Sequence, residues 1–229
     1  MRNAGPGRAP RRRSPSVAAA VCGALLALAP PAPDARATSD VESAIEDTVI
    51  VRVLDREVVG VDAVARGSSS LRLDPGERLL SHEARGRIGI VVTNRRLLGF
   101  SAKSGWTERR LRIAESTPSR ADVDARLALF LTSQRAIGFD GHWREEVLSP
   151  QEAVQRSSLA SSTALVVTNR RAMGLSPASG GFVSIPLRVH EDVEQARAVA
   201  TLAEVTTSQR VLVFSAGDGT WTEELRTLD

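Results

Sequence analysis

Short apolar runs separated by polar turns recur along the chain from about residue 49 onward. The runs are four to six residues long and rich in valine, isoleucine and leucine, and they lie at 49–54, 88–92, 127–131 and 164–167. Runs of this length and composition predict β-strands that are buried on both faces. Each run leads into a short polar turn, such as Asn94-Arg95, whose side chains suit a tight hairpin.

Two further strands are predicted in each unit. After the returning strand, a Gly-containing turn leads to an alternating strand that carries an aromatic residue, a glutamate and a leucine, as in Trp106, Glu108 and Leu111. Before each apolar run lies a weaker segment in which polar and apolar residues mix, which is typical of a strand that lines a partly wet channel. These weaker segments are 41–46, 78–84, 115–122, 153–159 and 193–199.

The unit repeats with a nearly fixed period. The first turn residue recurs at intervals of 39, 39, 36 and 39 residues, at Asp55, Asn94, Ser133, Asn169 and Ser208. Such a period indicates an array of supersecondary units, none of which can bury its apolar face alone. Four strands per unit predict an all-β, five-bladed β-propeller of four-stranded antiparallel blades over residues 38–229. The expected blades are approximately 40–74, 75–113, 114–150, 151–189 and 190–229.

Strings such as VVTNRR and GWTERRL resemble the repeats of small β-propellers in general, over residues 41–228. The resemblance points to no specific named family. It implies a disc with a central channel, on which ligands or partners meet one of the two faces.

A second architecture competes with the propeller. Units two and four share TNRR, whereas units three and five share TSQR, so the ancestor could be a pair of about 75 residues. Two half-barrels, or two barrels of the bacterial pleckstrin-homology-like kind, could arise from that duplication. Such barrels end in a long amphipathic helix, and no segment here keeps a 3.6-residue period for long, so the propeller is favoured.

The first 37 residues have the layout of a secretory signal. An arginine-rich stretch at 8–13 precedes an apolar run at 17–29, and the small-residue triplet at 35–37 predicts cleavage after Ala37. The apolar run falls short of the roughly 20 residues that span a bilayer, so an uncleaved anchor is less favoured. We therefore expect an exported protein, periplasmic or extracellular, with no transmembrane span once the signal peptide is removed.

Removal of the signal peptide changes the charge of the chain. It takes away six arginines and one aspartate, which turns the formal net charge of +3 into −2, so the alkaline isoelectric point is no argument for a nucleic-acid partner. The single cysteine, Cys22, lies in the signal, and we expect a disulfide-free monomer. A domain of this size removes roughly 70% of its unfolded surface from water, which is enough for stability.

Arginines at one position of the repeat are the main candidates for ligand binding. Arg96, Arg135, Arg171 and Arg210 each follow a hairpin turn, and in a ring they would emerge on one face. Planar guanidinium groups suit carboxylate, sulfate or phosphate. A structural role, in which each arginine pairs with a recurring carboxylate such as Glu108, Glu145 or Glu223, is favoured over ligand binding. The further candidates near this face are Arg95, Arg170, Arg120 and Arg156.

Aromatic residues form the second repeated feature. Trp106, Trp143 and Trp221 could stack on sugar rings, but packing between blades is the favoured interpretation.

Catalysis finds little support in the sequence. The three histidines fall at unrelated repeat positions, and no cysteine, histidine or carboxylate spacing is typical of a metal site or a nucleophilic triad. We expect no catalytic residues, no metal and no cofactor. The prediction is an exported, non-catalytic module that recognises a protein through one propeller face; the alternative is a lectin-like binder of an acidic glycan or other anionic ligand with repeated sites.

Overall fold

The computed structural model describes residues 48–226, which form nineteen β-strands in five antiparallel sheets. The predicted signal peptide and the predicted strand at 41–46 lie outside the described residues.

The first sheet contains β1 (Val49–Leu54), β2 (Glu57–Asp62) and β3 (Gly67–Arg72). The second contains β4 (Leu79–Arg85), β5 (Ile88–Thr93), β6 (Arg96–Ser101) and β7 (Gly105–Arg110). The third contains β8 (Arg120–Asp124), β9 (Leu127–Leu131), β10 (Arg135–Phe139) and β11 (Trp143–Val147). The fourth contains β12 (Val154–Ala160), β13 (Thr163–Thr168), β14 (Arg171–Leu175) and β15 (Val183–Pro186). The fifth contains β16 (Val193–Val199), β17 (Leu202–Thr207), β18 (Arg210–Ser215) and β19 (Thr220–Leu225).

Each sheet is an up-and-down meander, because its strands pair in chain order. In sheets two to four, the two central strands are buried along almost their whole length, as the continuous apolar runs predict. Three of the first strands carry a bulge near their start, in β4, β12 and β16. The segment at 193–199, the nearest approach to a helical pattern, is strand β16.

Consecutive sheets pack face to face through four apolar clusters. One cluster joins each sheet to the next, so sheets two to four contribute to two clusters each. The prediction of a five-bladed β-propeller is therefore confirmed, and the alternative of two half-barrels is wrong. The reason is that each unit buries its apolar residues against the neighbouring units, whereas a half-barrel would bury them within itself.

A glycine and a large side chain meet at every one of these junctions. A Cβ atom on Gly99 would lie 2.7 Å from the ring of Phe139 in the next sheet, and one on Gly60 would lie 2.5 Å from the ring of Phe100. Gly138 faces Leu175 and Gly174 faces Phe214 in the same way. The missing Cβ lets the sheets approach closely enough for the ring to fill the space.

The first and fifth sheets differ from the middle three on one face. In β1, β17 and β18 burial alternates residue by residue, so one face packs against a neighbouring sheet and the other is partly exposed. The part of the chain that the structure describes contains no helix with the length and apolar character needed to cross a bilayer.

Candidate interaction face

One end of the sheets is built from the turns between second and third strands and from the linkers that join one sheet to the next. We call this end the hairpin face. The predicted arginines lie beneath it: Arg135 and Arg210 are 2% and 4% exposed, Arg96 is also buried, and Arg171 is half-buried.

Each of these arginines belongs to a repeated set of three side chains, which we call the linker clamp. A clamp consists of a glutamate from the linker before the sheet, a threonine at the end of the second strand and the arginine at the start of the third. The four clamps are Glu77, Thr93 and Arg96; Glu115, Thr132 and Arg135; Glu152, Thr168 and Arg171; and Glu191, Thr207 and Arg210. In the first sheet, Leu54 and Glu57 stand at the threonine and arginine positions.

The geometry of the clamp satisfies every buried charge. Arg96 donates from Nε to Oε1 of Glu77 at 2.9 Å and from Nη2 to Oε2 at 2.9 Å, which is a bidentate pair. Thr93 donates its hydroxyl to Glu77 at 2.7 Å and accepts the backbone N–H of Arg96 at 3.0 Å. Oε2 of Glu77 also accepts the backbone N–H of Asp74, three residues earlier in the chain, at 2.8 Å. A bidentate, hydrogen-bonded pair of this kind can be buried without an unpaired charge.

Each clamp also ties together neighbouring sheets. The Nη2 group of Arg210 donates at 2.8 Å to the carbonyl of Pro186, at the end of the preceding sheet, and Arg135 donates in the same way to Arg110. The clamp therefore fixes the linker, the hairpin turn and the sheet-to-sheet junction at once.

The environment of the clamp shifts the pKa values of its members. Burial by itself raises the pKa of Glu115, but hydrogen bonds from Arg135, from the backbone of Arg112 and from Thr132 outweigh it and hold that pKa at about 2. In the other clamps burial likewise raises the pKa of the glutamate, and hydrogen bonds from the arginine, the backbone and the threonine outweigh this effect. The pKa of Glu191 is about 2, and the pKa values of Glu77 and Glu152 are lowered.

The predicted pairing with outer-strand glutamates is confirmed in three sheets. Arg96, Arg135 and Arg210 bind Glu108, Glu145 and Glu223, respectively. In the fourth sheet Ser184 occupies the glutamate position, and Arg171 instead binds Glu146 of the preceding sheet at 2.5 Å. These four guanidinium groups are thus already engaged by carboxylates, and their role in ligand binding stays a prediction.

The sequence interpretation missed the linker glutamates and the threonines. Their signal is the recurrence of Glu at 77, 115, 152 and 191, each sixteen or seventeen residues before a threonine that precedes the turn. It was overlooked because a glutamate in a Pro- or Gly-containing linker is ordinarily a solvated loop residue.

The turns on the hairpin face are fastened to the linkers by their own side chains. Asn94 and Asn169 accept the backbone N–H groups of Arg78 and Ala153 at 2.8 Å and 3.0 Å. Ser208 accepts the N–H of Asp192 at 3.1 Å. This side of the molecule is therefore a preorganised surface.

Four exposed arginines lie at the hairpin face of the second sheet, on neighbouring backbone segments. We call Arg78, Arg95, Arg110 and Arg112 the basic cluster. Their backbones are linked: the N–H of Asn94 donates to the carbonyl of Arg78 at 3.1 Å, and the N–H of Leu111 donates to the carbonyl of Arg95 at 2.9 Å. Among residues 48–226, the side chains of Arg78, Arg95 and Arg112 make no hydrogen bond or ion pair, and Arg110 has only a 3.7 Å contact with Glu108.

The basic cluster departs from the repeat. The equivalent positions carry no arginine in the third sheet, where they are Ser116, Gln134, Val147 and Ser149. In the fourth sheet they are Ala153, Arg170, Pro186 and Arg188. Duplication alone would have given the same residues in each unit, so the cluster is a local feature of the second sheet.

Apolar side chains stand beside these charges. Ile113, next to Arg112, is fully exposed, and Val189 at the same linker position before the fifth sheet is 81% exposed. Arginine is enriched at protein interfaces, and the buried centre of an interface is more apolar than the rest of the surface.

The other predicted arginines lie near the hairpin face of the third and fourth sheets. Arg170 lies exposed in the turn of the fourth sheet and donates to Gln151 at 3.2 Å. Arg120 lies on β8, where it binds Asp122 and donates to the carbonyl of Ser157 at 2.8 Å. Arg156 is exposed on β12. Arg120 and Arg156 pair with Leu131 and Val167 near the hairpin ends of their sheets, as expected, but on the first strands and not on the turns.

The tryptophans pack against the apolar clusters between sheets. The rings of Trp106, Trp143 and Trp221 lie 5.2 Å, 4.7 Å and 5.4 Å from phenylalanine rings. Each indole N–H also donates to the preceding sheet, at 2.9 Å to Ser69, 3.1 Å to Thr107 and 2.8 Å to Val183. Each indole ring is therefore held by a phenylalanine ring and by a hydrogen bond from its N–H group, which is a structural role.

Within residues 48–226, no group of three or more histidine, cysteine or carboxylate side chains is placed to hold a metal ion.

The fold and the repeated junctions define the molecule as a small five-bladed β-propeller repeat protein.

No protein-family model matches the chain, and the search of curated proteins gives no match. Solved structures are similar at low identity. Human WBSCR16 has a TM-score of 0.40 and 14% identity over 69% of this chain and 56% of its own. PorZ, a surface component of the type-IX secretion system of Porphyromonas gingivalis, has a TM-score of 0.37 and 11% identity over 84% and 28%. The WD40 domain of SCAP from fission yeast has a TM-score of 0.35 and 11% identity over 80% and 54%. The chain spans less than two thirds of each of these structures.

Proposed function

We propose that this protein is an exported, non-catalytic module that binds a protein partner through its hairpin face, with the basic cluster at the centre of the contact. The observation that carries the proposal is the presence of four exposed, largely unpaired arginines at one sheet end where the other units carry fewer. A guanidinium group presents a planar fork of donors that matches a carboxylate, so less side-chain freedom is lost for each hydrogen bond that forms.

The surroundings of the cluster favour a protein partner. Ile113 offers an apolar anchor, and the clamps keep the turns in place, so binding needs no rearrangement of the backbone. The chemistry predicts an acidic partner surface with at least one apolar pocket. Export is proposed on the layout of residues 1–37 alone.

The test is affinity capture from the periplasmic and extracellular fractions of the source cells, with partners quantified by mass spectrometry. In one variant, Arg78, Arg95, Arg110 and Arg112 are changed to serine. We expect this variant to lose its partner by at least about tenfold while keeping its melting temperature, because these side chains are exposed. The intact mass of the recovered protein shows whether cleavage follows Ala37.

The matched control changes four exposed cations at the opposite end of the sheets, Arg66, Arg85, Arg87 and Lys103, to serine, which gives the same change in charge. Equal losses in the two variants would contradict a specific site and indicate general electrostatic attraction. Saturable binding of the wild-type chain to acidic glycans, abolished in the cluster variant, with no protein captured, would favour the glycan alternative.

A further inference from the structure

Among the residues that the structure describes, the outer faces of the first and fifth sheets pack against no other sheet. On the first sheet Ile50 and Leu54 are 52% and 58% exposed, and on the fifth Val199 and Leu202 are 47% and 43% exposed. The position equivalent to Leu202 in the second sheet, Ile88, is only 2% exposed.

The four internal junctions share a pattern of contacts at equivalent central positions, and this pattern predicts which residues would meet if the two outer faces came together. At each junction, one central position of the earlier sheet and one of the later sheet lie in the same apolar cluster. The pairs are Val51 with Val91, Ile90 with Phe130, Leu129 with Val166, and Leu165 with Val205. The same two positions on the free faces are Glu204 on the fifth sheet and Arg52 on the first. A fifth junction of the same kind would place opposite charges against each other.

A second pattern concerns the glycine and the large side chain that meet at each junction. On the fifth sheet the glycine position is Val213, and on the first sheet the position of the large side chain is Val61. The recess is partly filled and the protruding side chain is smaller, so the total volume stays nearly the same. Volume-conserving exchanges of this kind are the ones that packed interfaces tolerate.

We propose that copies of this chain associate head to tail, with the outer face of the fifth sheet of one copy against the outer face of the first sheet of another. Across these faces the charges of Glu204 and Arg52 are complementary, and so are the volumes of Val213 and Val61. None of the four internal junctions has these residue types at the same positions. Glu204 now binds Arg197 at 2.6 Å on an exposed surface, and its carboxylate would accept Arg52 in the assembled state.

A second copy is a better occupant than the opposite end of the same chain. The internal junctions are close-packed around Gly99, Gly138 and their equivalents, which fixes the angle between successive sheets. Within residues 48–226 the first and fifth sheets do not pack against each other, so closure within one chain would have to change the packing at the junctions, whereas a second copy can dock on the sheets as they stand. Contact between two different faces produces a ring or a filament. The sequence predicts a monomer, and the two outer faces favour association instead.

The test uses the full chain and sedimentation velocity over a range of concentrations. Glu204→Arg places arginine opposite arginine, and Arg52→Glu places glutamate opposite glutamate; each variant alone should weaken association on the order of 100-fold, since like charges at an interface are strongly unfavourable. Mixing the two variants restores opposite charges at both kinds of contact. We therefore expect the mixture to assemble with wild-type affinity, a result that also shows that both variants are folded.

Cross-linking separates association from closure within one chain. Val61→Cys and Val213→Cys are made separately in a Cys22→Ser background, mixed, and treated with a short bismaleimide. A cross-linked dimer in the mixture is expected. A wild-type chain that sediments as a monomer at all concentrations would overturn the proposal, and so would a cross-link that forms only when both cysteines are in one chain.

Discussion

Arg135 shows how this protein buries a full charge. Its side chain is 3% exposed, yet Nε donates to Glu115 at 2.9 Å, Nη1 donates to Glu145 at 2.6 Å, and Nη2 reaches both Glu115 and the carbonyl of Arg110. Desolvation of such a pair is costly, and the hydrogen bonds offset that cost only while both partners are present. The members of a clamp therefore depend on one another.

The pH dependence of stability follows from the lowered pKa of Glu115. This pKa falls from 4.5 to about 2 in the folded protein, so the stabilisation is fully present above pH 4.5 and is lost as the pH falls toward 2. We expect Glu115→Gln to lose on the order of 3 kcal/mol of stability at pH 7, since one pKa unit corresponds to about 1.4 kcal/mol. We also expect its stability to fall less steeply than that of the wild type below pH 4.5, measured by urea unfolding at a series of pH values.

The control for this variant is Glu83→Gln, which changes an exposed glutamate on β4. It should remain within about 0.5 kcal/mol of the wild type at every pH. Parallel pH profiles for Glu115→Gln and the wild type would show that the clamp does not titrate as described.

At the scale of elements, sheets are joined by close approach as well as by charge. The strand β6 carries Gly99 where a side chain would collide with the ring of Phe139, a buried residue of the next sheet. Backbone approach of this kind explains why a glycine is needed inside a strand whose neighbours are large and apolar.

Gly99→Ala tests this junction. The added methyl group must displace the Phe139 ring, so we expect a loss of about 1–3 kcal/mol in urea unfolding. Phe139→Leu in the same chain gives the methyl group room, and the two losses should therefore be less than additive. Gly181→Ala is the matched control, because nothing lies within 4 Å of the added atom. A Gly99→Ala variant as stable as this control would contradict the close approach.

At the scale of the whole molecule, stability is distributed unequally. The third sheet lies between two packed neighbours, and strands β9 and β10 are buried on both faces. The first and fifth sheets each have one partly exposed face. In a repeat array, stability depends on the contacts with neighbouring units.

Hydrogen exchange measures this gradient. We expect the amides of β9 and β10 to exchange most slowly and those of β1 and β18 to exchange faster, by tenfold or more, when the protein is dilute. Concentrated protein should slow the exchange of the two outer sheets if copies associate. Equal protection in all five sheets of dilute protein would show that the molecule opens as a single unit.

Strand positions, period and the class of fold were predictable from local pattern. Val91 and its neighbours could be assigned to a strand buried on both faces because no polar residue interrupts the run. Pairing of Arg96 with Glu108 was foreseen because both residues recur together. Glu77 was not, because the clamp joins residues nineteen positions apart across a linker, and a linker glutamate carries no pattern of its own. In the fourth sheet Ser184 stands where the other sheets have a glutamate, and Arg171 binds Glu146 of the third sheet instead. This pairing could not be predicted either, because it depends on contact between sheets.

The amino-acid sequence by itself determined where the buried strands form within residues 48–226, how they repeat and which residues are apolar, because these follow from the alternation and length of the runs. Only the tertiary structure decided which arginines are buried and which are free. Arg95 and Arg96 are neighbours of the same type, but one points into a clamp formed by a distant glutamate and the other lies on the surface. The physical reason is that burial of a charge depends on partners brought from other sheets, and that proximity exists only once the sheets have packed.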